Sequence, residues 1–425
     1  MREWWGFGSQ TRLLYKNAHT PALTNSHTHN VPLPAMYRFL RPLLFQMGAE
    51  QAHRFSTGAA RWVQRLRPEA VEPLFRFEDA ALYRPIWGLD FKSPVGLAAG
   101  FDKNAELVRF WEALGFGFAE VGSVTARPAE GNARPRAFRL EEDRALVNRL
   151  GLGNEGADAV AGRLEDAGAQ AAAPLGINIA KTPASATGGE PLTGDDAVED
   201  YRQSFHRLAP HADYVTLNVS CPNTLGGGTF EEPDALDTLL EAVFAERERM
   251  NRSELPVLIK LSPPETDRLV YDSALDDTVA VAQAHGVDGF VAANTAPDRA
   301  GLSASHERLD EIGAGGLSGP PVAGRATALV RYLYRLTDGA VPIIGVGGVD
   351  SAQAAYEKIR AGASLVQLYT GLVYEGPGLV KHIKEGLAER LAEDGFGSVA
   401  AAVGVDADEP AASPQQVPTG APAVA

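Results

Sequence analysis

Eight short apolar runs recur along the chain, and segments with helical periodicity separate most of them. Strands that alternate with helices pair in parallel, so the pattern predicts an α/β fold. Eight such units over roughly 290 residues fit a (β/α)8 TIM barrel. The predicted strands are residues 94–100, 118–124, 174–180, 214–220, 256–262, 289–295, 342–348 and 365–371. The main predicted helices are residues 105–114, 196–208, 233–249, 273–285, 326–336 and 351–361.

An open, doubly wound sheet is the alternative to a closed barrel. Such a sheet would not naturally have eight units with polar residues at nearly every strand's C-terminal end. We therefore expect a barrel domain over residues 81–392. The connection at residues 124–173 is longer than one helix requires, and we expect it to extend over the barrel mouth.

Two amphipathic helices are predicted ahead of the barrel, in a small N-terminal domain that spans residues 36–80. In the second helix, residues 49–66, apolar positions recur every three to four residues and form one stripe. Arginines lie among the apolar residues of this segment, at Arg38, Arg41, Arg54, Arg61, Arg65 and Arg67. Two interpretations fit equally well: a helical cap on the barrel, and a basic hairpin that lies on an anionic membrane surface.

The two ends of the chain lack periodic patterns. Residues 1–35 have no signal-peptide pattern, and we interpret them as a disordered extension or a start site placed too early. Residues 393–425, composed largely of Ala, Val, Asp, Pro and Gln, predict a disordered tail. No apolar run approaches the ~18 residues that a membrane-spanning helix needs.

Composition argues against several classes of function. The net charge of −15 and the pI of about 5.1 argue against a general nucleic-acid binder. The single cysteine excludes an internal disulfide framework and a cysteine-rich metal site. The 9 histidines form no HExxH or similar cluster, so we predict no metal.

Polar side chains follow most of the predicted strands. One such residue is usually structural, but active sites of these barrels lie at the C-terminal strand ends, where the groups would converge. Several amides and ammonium groups at one mouth indicate a planar, polar, anionic ligand. In strand order the residues are Ala99, Gly100, Phe101, Asp102 and Lys103; Ser123 and Thr125; Asn178 and Lys181; Asn218, Cys221 and Asn223; Lys260 and Ser262; Asn294 and Thr295.

Three glycine-bearing segments, residues 315–319, 345–348 and 369–371, predict a phosphate site. Glycine lets backbone N–H groups approach an anion closely, and a helix N-terminus adds a favourable field. The loops after the seventh and eighth strands are the usual phosphate site of such barrels. With Lys260 near N1 and O2 of a flavin, where its charge would stabilise the reduced ring, the pattern favours FMN.

The only cysteine, Cys221, lies in the segment YVTLNVSCPNT at residues 214–224. Pro222 ends the predicted strand there, and Asn218 and Asn223 flank the thiol. A small buried core cysteine is the simpler interpretation. Placed opposite a flavin, however, the thiolate is a suitable base for removing a proton next to a carbonyl, coupled to hydride transfer to flavin N5.

Several motifs resemble those of the quinone-dependent (class 2) dihydroorotate dehydrogenases. They include GFDKNAE, VGSVTARPAEGNARPRAFRL, VNRLGLGNEG, LNVSCPNT, GGLSG, GVGGV and LVQLYTG, in order between residues 36 and 391. The resemblance implies oxidation of (S)-dihydroorotate to orotate in pyrimidine biosynthesis, with electrons passing from FMN to a membrane quinone. It also implies that the helical pair docks peripherally on the cytoplasmic side of the cell membrane.

The resemblance also assigns site residues. The implied flavin contacts are Ala99, Gly100, Phe101, Asp102, Lys103, Ser123, Asn178, Asn218, Lys260, Ala293, Gly319, Gly348, Tyr369 and Thr370. The implied orotate contacts are Lys103, Asn148, Arg149, Leu150, Gly151, Leu152, Asn218, Asn223, Asn294 and Thr295. His53 and Arg139 match quinone-site positions, and Cys221 matches the catalytic base.

One residue departs from the class 2 pattern, which has serine at the base where this chain has Cys221. The soluble class 1 enzymes have cysteine there, so a soluble class 1-like enzyme that uses fumarate or NAD is the nearest alternative. The N-terminal helical pair argues against it, because soluble relatives lack that element. A flavin barrel acting on tRNA uracil and a non-enzymatic phosphate-sensing barrel are further alternatives.

Overall fold

The fold is built around a closed barrel of parallel strands. The computed structural model describes residues 33–66, 68–167, 173–220, 230–268 and 271–408. In chain order the strands are β1 (Arg84–Ile86), β2 (Leu89–Phe91), β3 (Val95–Leu97), β4 (Phe118–Val124), β5 (Ala137–Leu140), β6 (Ala145–Asn148), β7 (Leu175–Ile179), β8 (Tyr214–Asn218), β9 (Val257–Leu261), β10 (Gly289–Ala292), β11 (Gly316–Ser318), β12 (Ile343–Val346) and β13 (Leu365–Leu368).

Helices precede the barrel, alternate with its strands and follow its last strand. They are α1 (Leu33–Gln46), α2 (Ala49–Leu66), α3 (Glu72–Phe75), α4 (Val108–Ala113), α5 (Ala157–Ala167), α6 (Gly194–Leu208), α7 (Pro233–Arg249), α8 (Ser273–Ala284), α9 (His306–Ile312), α10 (Ala323–Leu336), α11 (Ala352–Arg360), α12 (Thr370–Glu375), α13 (Leu379–Glu393) and α14 (Val399–Ala402).

Eight strands close the barrel in the order β3, β4, β7, β8, β9, β10, β12 and β13, and β13 pairs with β3. Each lies inside one of the eight predicted strands, so the predicted (β/α)8 barrel is confirmed and the open sheet is excluded. Residues of these strands are buried throughout, because the helices cover one face and the barrel interior occupies the other.

A β-hairpin closes the N-terminal end of the barrel. β1 and β2 pair antiparallel, which places Phe91 edge-on against Phe118 with ring centroids 5.3 Å apart. Trp87, in the turn of this hairpin, lies 5.8 Å from the Tyr214 ring and donates Nε1–H to the Asp288 carbonyl at 2.8 Å. These aromatic rings fill the end of the barrel opposite the C-terminal strand ends.

A second sheet lies in the excursion after β4. β5 and β6 form an antiparallel hairpin, and β11 pairs antiparallel with β6 through Leu317 and Val147. This sheet has a separate apolar cluster that includes Leu140 and Ile312. The excursion brings residues 148–152 to the barrel mouth, as the length of the connection predicted.

The N-terminal hairpin of α1 and α2 is fastened to the barrel by polar side chains. The Tyr37 hydroxyl donates to the Val373 carbonyl at 2.6 Å. Gln64 donates to the Glu106 carbonyl at 2.9 Å and accepts from the Phe110 N–H at 3.0 Å. The second helix has its predicted bounds, whereas α1 begins at Leu33, three residues before the predicted start at residue 36.

The outer side of the same hairpin exposes large apolar side chains. Phe39 is 78% exposed, Trp62 66% and Leu66 59%. Within the described part of the chain, no helix is both long enough and apolar enough to cross a membrane. The hairpin therefore has the features of both interpretations, a cap on one side and an apolar surface on the other.

Part of the predicted C-terminal tail is folded. We expected residues 393–425 to lack structure, but α14 follows α13, and Val399 and Ala402 are fully buried in the main core. The Asp406 carboxylate forms an ion pair with Arg360 on α11 at 2.5 Å. The small residues of α14 pack on neighbouring helices and give the sequence little periodicity. This explains why its composition predicted disorder. Residues 409–425 lie outside the described residues.

Candidate active site

One continuous cavity of about 1240 Å³ begins at the C-terminal ends of the barrel strands and reaches the N-terminal hairpin. Its inner part is lined by polar and glycine residues of the barrel, and its outer part by apolar residues of α1 and α2. Such a cavity can hold a large polar ligand at one end and an apolar ligand at the other.

Most of the predicted site residues line this cavity. From the cofactor set they are Ala99, Gly100, Phe101, Asp102, Lys103, Ser123, Asn218, Lys260, Ala293, Gly319, Gly348, Tyr369 and Thr370. From the substrate set they are Lys103, Asn148, Leu150, Gly151, Leu152, Asn218, Asn294 and Thr295, and from the quinone set His53 and Arg139. Cys221 and Asn223 lie outside the described residues.

Asn178 and Arg149 are placed differently from the prediction. Asn178 is fully buried on β7 and lies behind Ser123, which donates to its side-chain oxygen. The Arg149 guanidinium donates to the carbonyls of Ile312 and Pro135, away from the cavity lining. Neither residue is part of the lining, and the ligand contacts assigned to them stay predictions.

Glycines bring the backbone close to the start of α10. Gly319, Gly347 and Gly348 have φ values of 106°, 106° and 73°, a region that L side chains rarely adopt. A Cβ atom on Gly348 would lie 2.3 Å from the Ala323 Cβ. The first N–H groups of a helix have no intrahelical partner, so the part of the cavity beside these glycines suits an anion such as a phosphate.

The loop after β3 is organised by Asp102. Its buried carboxylate accepts the backbone N–H groups of Glu106 and Leu107, both at 2.8 Å, and the Trp111 indole N–H at 3.0 Å. Burial raises the pKa of Asp102, while these hydrogen bonds oppose that shift. The three bonds fix the loop that carries Lys103, another residue of the cavity lining.

Amide and hydroxyl groups form a connected chain at the inner end of the cavity. Asn218 donates to the Ser123 hydroxyl at 3.0 Å and accepts from Asn294 at 3.2 Å. Asn294 also donates to the Ser220 hydroxyl at 3.0 Å. These side chains come from β4, from β8 and from the segments that follow β8 and β10, so the barrel brings together residues far apart in sequence.

The outer end of the cavity contains both predicted quinone-site residues. Burial, with the nearby Lys103 charge, lowers the pKa of His53 to about 4, so its imidazole is neutral at neutral pH. Arg139 donates to the Phe45 carbonyl at 3.2 Å and the Met47 carbonyl at 2.9 Å, next to the end of α1. Burial lowers the pKa of Arg139.

Sequence reasoning missed several lining residues. Tyr37, Phe45 and Gln367 line the cavity, but their residue types are common in apolar or strand segments and gave no distinguishing signal.

Comparisons with known proteins agree with this architecture. A family model described as dihydroorotate dehydrogenase matches residues 81–391. Proteins named dihydroorotate dehydrogenase (quinone) include one from Natronomonas pharaonis, 44% identical over 87% of this chain and 99% of its own length. One from Halobacterium salinarum is 46% identical over 87% of this chain and 100% of its own length.

Solved structures give the same answer. The crystal structure of the Eimeria tenella enzyme in complex with ferulenol has a TM-score of 0.72 and 31% identity, covering 87% of this chain and 99% of that one. The ligand-free form of the same enzyme has a TM-score of 0.71 and 33% identity, covering 82% of this chain and 98% of that one. This chain therefore belongs to the dihydroorotate dehydrogenase family.

Proposed function

We propose that this protein oxidises (S)-dihydroorotate to orotate, with FMN as the hydride acceptor and a membrane quinone as the final electron acceptor. The observation that carries the proposal is the single cavity of about 1240 Å³ that joins the polar barrel mouth to the apolar hairpin. The relatives described above carry the name of this quinone-dependent reaction, which places it in pyrimidine biosynthesis.

The residues present fit FMN. Gly319, Gly347 and Gly348 line the cavity beside the start of α10, where the absence of side chains leaves backbone N–H groups accessible to the phosphate. Lys260 lies in the lining at the end of β9 and is 7% exposed, so its ammonium would stabilise negative charge on a bound ring system. Bound FMN supplies the hydride acceptor.

The substrate end of the proposed site combines Lys103 with amide groups. Lys103 provides a positive charge for the orotate carboxylate, and Asn294 with Asn218 provides donors and acceptors for the planar ring. Asn294 is fixed by Ser220, the residue immediately before Cys221. We assign Cys221 the role of base, which takes the proton from the carbon next to the ring carbonyl.

The outer apolar end suits a quinone, and the hairpin suits a membrane surface. Leu43, Leu44 and Phe55 line the cavity there beside His53. Exposed apolar residues and exposed arginines such as Arg38 and Arg65 share the outer side of the hairpin. We therefore propose peripheral docking on the cytoplasmic side of the cell membrane.

Turnover with different electron acceptors tests this proposal. Purified protein should oxidise dihydroorotate rapidly with a soluble ubiquinone analogue and should show little turnover with fumarate or NAD. Efficient fumarate or NAD reduction without quinone reduction would instead support the soluble class 1-like alternative.

A further inference from the structure

A fully buried carboxylate, Glu120, lies on β4 beneath the candidate active site. It does not belong to the cavity lining. Its two oxygens accept hydrogen bonds from side chains on three other barrel strands. The donors are Asn178 Nδ2 at 2.9 Å, Gln367 Nε2 at 2.9 Å, Tyr214 OH at 3.2 Å and Thr216 Oγ1 at 3.2 Å.

This carboxylate gives a direction to the hydrogen bond that Asn178 makes with the site. An ionised carboxylate can only accept, so the amide of Asn178 must turn its NH2 group toward Glu120. The Asn178 oxygen is then left on the opposite side, where it accepts from the Ser123 hydroxyl. The orientation of one amide is thus set by a carboxylate that lies outside the cavity lining.

The hydrogen bonds that connect Ser123, Asn218 and Asn294, which line the cavity, have their donors and acceptors fixed in the same way. Because Ser123 donates its only proton to Asn178, its oxygen is available as an acceptor, and Asn218 Nδ2 donates to it at 3.0 Å. The Asn218 oxygen therefore faces Asn294, whose Nδ2 donates to it at 3.2 Å. Both asparagines line the cavity at the proposed substrate end.

Gln367 is oriented toward Glu120 in the same way. Its Nε2 donates to the carboxylate at 2.9 Å, as Asn178 Nδ2 does, so two amides from different strands turn their NH2 groups toward Glu120.

We propose that Glu120 is a positioning residue that fixes the amide orientation of Asn218 through Asn178 and Ser123. Glu120 thereby determines which Asn218 atoms are presented to the substrate ring. This inference rests on the proposed function, because the ligand that Asn218 would bind is orotate.

Glu120→Gln is the direct test, because glutamine has the same shape but can donate as well as accept. Asn178 can then present either end, and Asn218 loses the orienting partner on its Ser123 side and keeps only Asn294. We expect a folded variant that binds orotate about 10- to 100-fold more weakly, the loss caused by mispaired buried polar groups. Titration of orotate against the flavin absorbance measures this dissociation constant.

Tyr214→Phe is the matched control. It removes one donor to Glu120 but leaves the chain through Asn178 intact, so orotate binding should stay within about threefold of wild type. Equal losses in Glu120→Gln and Tyr214→Phe would overturn the proposal, because the effect would then be general damage to the buried network.

A double-mutant cycle separates positioning from independent structural effects. Ser123→Ala cuts the chain between Glu120 and Asn218, so adding Glu120→Gln to it should weaken orotate binding no further. If the two substitutions weakened orotate binding by factors that multiply in the double variant, Glu120 would not act on Asn218 through Ser123. If Glu120→Gln does not fold, Asn178→Ala replaces it in the same cycle, with the same two outcomes.

The side-chain amide NMR signal of Asn218 gives a readout that needs no ligand. In Glu120→Gln this signal should shift or double, whereas an unchanged signal would overturn the proposal. Wild-type protein that shows a single Asn218 orientation but does not bind orotate would refute the proposed function and leave the positioning role of Glu120 intact.

Discussion

The imidazole of His53 on α2 lies edge-on against the phenyl ring of Phe101, with centroids 5.0 Å apart. This contact joins the N-terminal hairpin to the loop after the first barrel strand. It lies where the apolar and polar parts of the cavity meet, since both residues are in the lining.

Burial of His53 predicts an acid-dependent loss of stability. Its pKa is lowered from 6.5 to about 4, so the unfolded chain binds a proton more readily than the folded chain does. The stabilisation is present above pH 6.5 and is lost as the pH falls toward 4, by at most about 3 kcal/mol. In His53→Phe, the free energy of unfolding should depend less on pH between 6.5 and 4 than it does in the wild type. His306→Gln, on the exposed side of α9, should leave it unchanged, and equal effects would refute the assignment.

Gly348 should be essential for holding the cofactor. Gly348→Ala places a Cβ 2.3 Å from Ala323 at a φ of 73°, so the backbone beside the proposed phosphate site must shift. Gly88→Ala is the matched control, because Gly88 has the same φ but open space around its Cβ. Both variants should lose about 1 to 2 kcal/mol of stability from backbone strain. Gly348→Ala should lose more than Gly88→Ala because of the clash with Ala323, and only Gly348→Ala should lose FMN on gel filtration. Retention of FMN by Gly348→Ala would place the phosphate elsewhere.

Cys221 should allow activity without strongly alkaline pH, because a thiol deprotonates far more readily than a hydroxyl. Cys221→Ala should lower the rate of flavin reduction by about 10²- to 10⁴-fold, the usual contribution of a general base. Cys221→Ser should retain part of the activity and shift its pH–rate profile upward. A fully active alanine variant, or a wild-type rate that still rises steeply above about pH 9, would contradict the role of the thiol.

The outer side of the hairpin should determine membrane binding without affecting chemistry. Phe39 and Trp62 are 78% and 66% exposed, and neither lines the cavity. Phe39→Asp with Trp62→Asp should abolish sedimentation with anionic vesicles while leaving turnover with a soluble quinone analogue unchanged. Tyr271→Asp, which changes a residue 73% exposed elsewhere on the surface, serves as the control. Unchanged vesicle binding by the double variant would refute docking through this side.

Strand and helix patterns predicted the barrel because each barrel strand is a continuous apolar run closed by polar or glycine residues. They also predicted several lining residues at the barrel mouth, since strand ends in a parallel barrel converge by geometry. The strand and helix patterns did not predict the direction in which individual side chains point. Asn178 lies near the C-terminal end of β7 and Asn218 ends β8, yet the Asn178 amide donates to the buried Glu120 carboxylate and does not line the cavity.

The sequence pattern also failed to predict that the segment of residues 394–408 is folded. Its composition is that of a disordered tail, but Val399 and Ala402 occupy space left by neighbouring helices. Long-range packing and the ion pair between Asp406 and Arg360 order this segment, and neither is visible in local periodicity.

Anaerobic addition of dihydroorotate to the purified protein is the decisive experiment for the proposed reaction. We predict yellow protein whose flavin absorbance bleaches on addition of the substrate and returns when a quinone analogue is added. Colourless protein that cannot be loaded with FMN, or flavin that stays oxidised in the presence of dihydroorotate, would contradict it.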